Sequence, residues 1–152
     1  MQHVVLIALL SLLASACRGA ATPESSPSAA PAPTTVVRGV HTAIRGERSV
    51  VVRNADDWEE LWREHTSAQL ATAVAPKVDF ERQMLVGVVL ATCPSGGYSV
   101  EIVRAERLGD RWRVVAHRTC PPEGSMQTAV LTKPFHFVAL PKSDSPVEFA
   151  WE

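Results

Sequence analysis

The chain has 152 residues, of which 46% are hydrophobic and 20% charged, and its formal net charge at pH 7 is −1. This near neutrality argues against nucleic-acid binding, which needs a strong basic field, and against polybasic attachment to anionic lipid. The composition after residue 33 is globular rather than disordered, and residues 34–152 suffice for one small domain with its own core.

The N-terminus has the pattern of an export signal. Residues 1–16 contain an apolar run that is too short for a transmembrane helix of about 20 residues but suits a secretory signal. Small residues then precede a cysteine, and Leu13-Ala14-Ser15-Ala16-Cys17 resembles the lipobox of bacterial lipoproteins. This resemblance implies removal of residues 1–16 and acylation of Cys17, with palmitate as one possible chain. An ordinary secretory signal and a wrongly chosen start codon remain open alternatives.

The residues after the cysteine indicate where the protein is held. Arg18 follows Cys17, and the lack of an acidic residue there favours the outer membrane or cell surface. Residues 17–33 are rich in Ala, Pro and Ser and carry no aromatic residue, so they predict a disordered tether. At about 3 Å per residue, such a tether holds the domain roughly 40 Å from the bilayer. The sequence therefore predicts an exported protein attached through lipid alone.

One helix is predicted near the start of the domain. Val36–Ile44 and Ser49–Arg53 are predicted strands separated by a turn. The helix then runs over about Ala55–Gln69, with Asn54 as its N-cap. Its apolar stripe should press two tryptophans onto a sheet, and the stripe consists of Trp58, Leu61, Trp62 and His65. Acidic residues fill the opposite, solvated face.

Five more strands follow the helix. Met84–Ala91 is apolar at every position, which predicts a central strand covered on both faces. The other four are Tyr98–Arg107, Arg111–Thr119, Pro134–Leu140 and Val147–Trp151. The order β-β-α-β-β-β-β-β predicts an α+β fold, a single small domain of mostly antiparallel sheet (about seven strands) covered by one helix. A helix-covered barrel is the alternative.

Two cysteines remain once Cys17 is assigned to lipid. Cys93 and Cys120 each end a predicted strand, and an even pair in an exported domain predicts a disulfide bond. Two buried thiols are one alternative. A metal site is another, and it would need His117 or His136 as further ligands, but no CxxC or HxxxH spacing is found. We therefore predict no metal and no cofactor.

Catalytic patterns are weak throughout the chain. Ser95 lacks the Gly-x-Ser-x-Gly context of a nucleophile elbow. Cys93 could act as a nucleophile with His117, but a partner cysteine favours oxidation instead. Neither a dinucleotide-binding GxGxxG nor a P-loop is found. The sequence therefore predicts a protein that is not an enzyme.

The loop after Cys93 is the strongest binding candidate. Its sequence is Pro94-Ser95-Gly96-Gly97-Tyr98, in which two glycines permit positive φ and close approach of another chain segment. One interpretation is a tight turn with Tyr98 packed on the sheet. The other is a rigid loop tip that a partner protein grips.

A family resemblance extends over about Ala43–Phe149. The order and spacing of several short motifs resemble the PrcB C-terminal domain family: Trp58-x-x-Leu61-Trp62-x-x-His65, Val78-Asp79-Phe80, Met84–Val89, Pro94-Ser95-Gly96-Gly97-Tyr98-Ser99-Val100-x-Ile102, Pro122-x-Gly124 and Thr132-x-Pro134-Phe135-His136-x-Val138. That family is named after a lipoprotein subunit of a spirochaete surface protease complex, which supports a subtilisin-like protease. The resemblance implies an anchored, non-catalytic protein-binding domain of the kind that serves as an accessory subunit of a surface or periplasmic protease complex. The candidate partner contacts are residues 94–98, Pro134 and Phe135.

Two other functions stay open at this point. Pro94-Ser95-Gly96-Gly97-Tyr98 faintly resembles a loop of chagasin-like protease inhibitors, although the predicted helix does not suit their β-sandwich. A structural envelope lipoprotein without a specific partner is the other alternative.

Overall fold

The computed structural model describes residues 32–70 and 73–152. The predicted signal, the acylated Cys17 and nearly all of the predicted tether lie outside the described residues. Within the described part of the chain, no helix combines the length and the apolar character needed to cross a membrane.

The described residues form one helix and seven strands, which confirms the predicted α+β fold and its order of elements. The elements are β1 (Thr34–Gly39), β2 (Arg48–Val52), α1 (Ala55–Thr66), β3 (Gln83–Val89), β4 (Ser99–Leu108), β5 (Arg111–Thr119), β6 (Phe135–Pro141) and β7 (Val147–Trp151). The strands divide between two sheets, a division that the sequence did not predict. The larger sheet has the order β1-β6-β3-β2 and is antiparallel, and the smaller has the order β4-β5-β7, in which β5 and β7 are parallel.

The helix begins where its cap predicts. The Asn54 side chain accepts a hydrogen bond from the Asp57 amide at 2.8 Å, which satisfies one of the free N–H groups of the first turn. Trp58 and Leu61 are buried, and the Trp58 ring meets Phe137 of the larger sheet edge-on with ring centroids 5.8 Å apart. The helix ends at Thr66, before the predicted end, because the Ser67 amide donates to the Glu64 carbonyl and tightens the last turn.

The larger sheet is the middle layer of three. On β3, Met84, Val86 and Val88 face the smaller sheet, and the residues between them face α1. Strand β6 alternates in the same way, with Phe135 and Phe137 towards the helix. Both strands lie inside their sheet, so the prediction that the apolar strand is central and covered on both faces is confirmed.

Gly87 is the one position of β3 without a side chain, and the structure shows why. A Cβ atom there would lie 1.9 Å from Cδ1 of Phe137, which pairs with it across the sheet. The aromatic ring of Phe137 therefore occupies the space that any larger residue at this position would need.

Strand β1 is shorter than its sequence suggests, and β1 and β2 lie further apart. Strand β1 ends at Gly39, and residues 40–47 form a long connection rather than a short turn. The two strands lie at opposite edges of the larger sheet, separated by β6 and β3. Ile44 of the connection is fully buried beside the helix, which explains why this stretch looked like part of a strand.

Candidate functional site

The candidate loop is joined to a second loop by a short β-bridge. Cys93 and Thr132 exchange backbone hydrogen bonds in both directions, at 2.7 Å and 3.0 Å. Further along, the Gly96 amide donates to the Thr128 carbonyl at 2.9 Å, and the Thr132 hydroxyl donates to the Ser95 carbonyl at 2.8 Å. Residues 93–98 and 120–132 therefore form one unit, which we call the two-loop surface.

Gly97 fits against the second loop at close range. Its φ of +84° lies in the left-handed region, and a Cβ there would lie 2.5 Å from Oε1 of Gln127 and 2.9 Å from Cβ of Pro121. The glycine is thus required for backbone conformation and for contact between the loops. The five-residue loop is therefore a braced part of a larger surface, not a free tip, which disfavours the likeness to an inhibitory loop that enters an active site.

Three apolar side chains of the second loop are open to solvent. Met126 is 98% exposed, Leu131 is 67% exposed and Val130 is 42% exposed. All three lie within residues 126–131 of one loop, and apolar side chains exposed on one loop are candidates for contact with another molecule. Sequence reasoning missed them because this segment has no strand or helix period that separates inward from outward residues.

The predicted contact residues divide between surface and core. Pro94 and Gly97 are exposed, while Ser95, Gly96 and Tyr98 are half-buried. Pro134 and Phe135 are buried, and the Phe135 ring packs on His65 with centroids 4.6 Å apart. These two candidate contact residues thus lie inside the domain and not on the two-loop surface, because β6 is an inner strand and Phe135 faces the helix.

A cleft of about 390 Å³ adjoins the two-loop surface. It is lined by the β1–β2 connection, the end of α1, Thr92 and the end of the second loop, and its lining includes His41, Thr42, His65, Leu131 and Lys133. His65 is 5% exposed, and its Nδ1 is hydrogen-bonded to the Thr42 hydroxyl at 2.8 Å. Burial lowers the pKa of His65, so its imidazole is neutral at pH 7.

The two cysteines are free thiols, so the predicted disulfide bond is not formed in this structure. The backbone of Cys93 pairs with Thr132 instead, and its thiol lies against the Ala91 carbonyl at 3.5 Å. Burial raises the pKa of the Cys93 thiol, although the nearby Arg118 acts in the opposite direction. Arg118 is itself paired with Glu47 at 2.7 Å.

The positions of the other candidate catalytic and metal-ligating residues are ordinary. The Ser95 hydroxyl donates to the carbonyl of its neighbour Gly96 at 3.1 Å. His117 is exposed on β5, whereas His136 is 1% exposed between the two sheets. Among residues 32–70 and 73–152, no group of three or more His, Cys, Asp or Glu side chains is placed to hold a metal ion.

Fold and site together define a small α+β domain that presents a braced loop surface beside a cleft. The family model described as PrcB C-terminal matches residues 84–141, and the resemblance inferred from the sequence is confirmed over that stretch. The match runs from β3 to the end of β6 and includes both loops of the two-loop surface. No curated protein and no solved structure matches the chain.

Proposed function

We propose that this chain is an exported lipoprotein whose domain binds another protein without catalysing a reaction, as an accessory subunit of a surface or periplasmic protease complex. One observation carries the proposal: the exposed apolar side chains Met126, Val130 and Leu131 stand on a braced loop pair inside the PrcB C-terminal match. The family relation supports association with a protease complex.

The two-loop surface suits protein recognition for a physical reason. Its loops are held by four hydrogen bonds between them, so little conformational entropy is lost when a partner binds. Met126 adds a flexible, polarisable side chain that adapts to the shape of a partner. A surface of this kind combines a fixed frame with an apolar contact, as binding loops on rigid scaffolds commonly do.

The catalytic alternative finds little support in the site. Ser95, the serine on the loop, has its hydroxyl directed to a neighbouring carbonyl rather than to a histidine. His65, the buried one of the two histidines that line the cleft, contacts a threonine and aromatic rings. A nucleophile needs a base within hydrogen-bond reach, and these residues do not supply the pair.

Lipid attachment at Cys17 is the second part of the proposal. Acyl chains contribute about 0.8 kcal/mol per buried CH₂, so a multiply acylated cysteine holds a protein firmly to a bilayer. Replacing Cys17 with Ser should release the protein from the membrane fraction of the cell. Unchanged recovery with membranes would contradict the anchor.

Pull-down from native membranes tests the protein-binding part. The full-length lipoprotein is compared with Leu131→Asp, which puts a charge on the two-loop surface, and with Leu108→Asp as a matched control. Leu108 is also a partly exposed leucine, but it is the last residue of the ten-residue strand β4, whose first residue, Ser99, directly follows the candidate loop. We expect a captured protein that reacts with a fluorophosphonate probe for serine proteases, lost with Leu131→Asp and kept with Leu108→Asp. Capture of no such protein, or equal capture by both variants, favours a structural envelope role.

A further inference from the structure

The cleft beside the two-loop surface has an unusual charge pattern. The chain contains 16 Asp and Glu residues, but none of the described residues that line the cleft is acidic. The lining instead offers donors from His41, His65, Thr92 and Lys133. A concave site with several donors and no carboxylate favours an anionic ligand.

The histidine at the base of the cleft has one ring nitrogen free. The Thr42 hydroxyl accepts a hydrogen bond from the Ile44 amide at 3.1 Å, and it lies 2.8 Å from Nδ1 of His65. When the hydroxyl donates to Nδ1, the ring proton sits on Nε2. In the part of the chain that the structure describes, Nε2 has no hydrogen-bond partner, and it is not among the fully buried polar atoms that lack one. Since the ring lines the cleft, Nε2 is the ring nitrogen that a ligand in the cleft can reach.

The ammonium group of Lys133 is the positive charge among the residues that line the cleft. Its Nζ donates to the Ile44 carbonyl at 2.9 Å, which fixes the ammonium group at the cleft wall. A lysine ammonium has three protons, so two remain for a ligand. Its backbone amide donates to the Val40 carbonyl at 2.7 Å, so the residue is held at both ends. Lys133, with its held ammonium group, and His65, with Nε2, thus line the same cleft.

We propose that this cleft binds the carboxylate of an Asp or Glu side chain presented by an extended peptide of the partner protein. The inference rests on the proposed protein-binding function and names the chemistry that the partner supplies. The carboxylate accepts from Nζ of Lys133 and Nε2 of His65. Leu131 lines the cleft and is also exposed on the two-loop surface, so an apolar residue beside the acid would pack on it.

Peptide titration of the wild-type protein tests the proposal first. The full-length lipoprotein, ¹⁵N-labelled and held in detergent micelles, is titrated with acetyl-Ala-Leu-Glu-Leu-Ala-amide and with its Gln counterpart. We expect the Glu peptide to shift the ring signals of His65 and the amides of Thr92 and Lys133. We also expect the Gln peptide to bind at least about tenfold more weakly, because hydrogen bonds to charged groups are the stronger ones. Equal binding of the two peptides would overturn the proposal.

Two lysine variants then locate the charge. Lys133→Met removes the ammonium group of the cleft, whereas Lys142→Met removes one that also donates to a backbone carbonyl, that of Phe80 at 2.8 Å. We expect Lys133→Met to weaken binding of the Glu peptide by about tenfold and to leave binding of the Gln peptide unchanged. Lys142→Met should behave as wild type. Equal loss in both variants, with folded spectra for both, would show attraction to net charge only and would overturn the site.

Two further probes distinguish other sources of an anion. Acetyl-Ala-Leu-Ala-Leu with a free C-terminal carboxylate, and inorganic phosphate, are titrated in the same way. Tighter binding of either one than of the Glu peptide would contradict an acidic side chain as the occupant. If a serine protease is pulled down but the Glu peptide does not bind, the cleft assignment is refuted and the proposed function stands. If the Glu peptide binds but no serine protease is pulled down, the proposed function alone is refuted.

Discussion

The backbone amide of Ile102 donates a hydrogen bond to Nδ1 of His136 at 2.8 Å, and this buried contact joins the two sheets. The other ring nitrogen, Nε2, contacts the Thr35 hydroxyl at 2.9 Å. Because Nδ1 accepts, the proton of the neutral ring lies on Nε2 and is donated to Thr35. The pairing of strand β4 with β5 shifts register between Ile102 and Arg104. His136 therefore accepts a hydrogen bond from an amide that lies beside an irregularity of the sheet.

Replacing His136 with Leu should therefore destabilise the domain. The substitution keeps apolar volume between the sheets but leaves the Ile102 amide buried without a partner, which costs about 1–3 kcal/mol. Urea unfolding of the two proteins measures the difference. His117→Leu, at an exposed position of β5, is the control and should change the free energy of unfolding by less than about 0.5 kcal/mol. Equal effects of the two substitutions would contradict a special role for His136.

Stability should also fall in mild acid. Burial lowers the pKa of His65 and of His136; for the latter the charge of Glu101 acts against burial and that of Arg38 acts with it. A histidine in the unfolded chain has a pKa of about 6.5. Below that pH the two histidines therefore bind protons more readily in the unfolded chain than in the folded domain. The contribution to stability is complete above about pH 6.5 and is lost as pH falls towards the lowered folded values.

Urea midpoints between pH 7.5 and pH 5 test this dependence above the range in which carboxylates titrate. We expect a falling midpoint for wild type and a shallower fall for His136→Leu, which keeps only His65 of the two buried rings. A flat profile for wild type would contradict the burial of neutral imidazoles.

The two-loop surface should depend on Gly97 for more than its backbone conformation. Gly109 is a matched control, because its φ is +61° and a Cβ there would meet nothing within 4 Å. Gly109→Ala should cost about 1–2 kcal/mol, the strain of a left-handed residue. Gly97→Ala should cost more, since the Pro121 ring cannot swing away as the Gln127 side chain can. Only Gly97→Ala should weaken partner capture, and equal costs with equal capture would show that the loops are not coupled.

The two thiols of the domain should react at different rates. Cys120 is exposed, whereas Cys93 is half-buried with a raised pKa, and the thiolate is the reactive form. Iodoacetamide without reductant should therefore label both, with Cys120 first, as followed by peptide mass spectrometry. Labelling of the denatured protein is the control and should bring the two rates together. If neither cysteine is labelled until a reductant is added, the two cysteines form the disulfide bond that the sequence predicts.

Regular periods made much of the fold predictable from sequence. The stripe that includes Trp58 and Leu61 located the helix and its buried face, and the continuous apolar run of β3 located a central strand. The division into two sheets has no such signal, because strand pairing depends on contacts between distant residues. The 40–47 connection was misassigned for a related reason: Ile44 is buried by the helix, not by a strand ladder.

The site was less predictable than the fold. The glycines of the candidate loop indicated close approach of another chain segment, but no local pattern could show that this segment is residues 120–132. Pro134 and Phe135 belong to the family motifs because they build the core, and sequence alone does not separate that role from binding. Met126 and Leu131 supply exposed apolar side chains of the two-loop surface. In the sequence they cannot be told from any other apolar residue of an irregular segment.

Site-specific photo-crosslinking in intact cells tests directly whether the two-loop surface binds a protease. A photoreactive phenylalanine analogue is placed at Met126 on the two-loop surface and, in a separate protein, at Leu108, the last residue of β4. We predict a light-dependent adduct from position 126, absent from position 108, whose partner reacts with a fluorophosphonate probe for serine proteases. No adduct at position 126, or the same adducts from both positions, would contradict a protease-binding role for this surface.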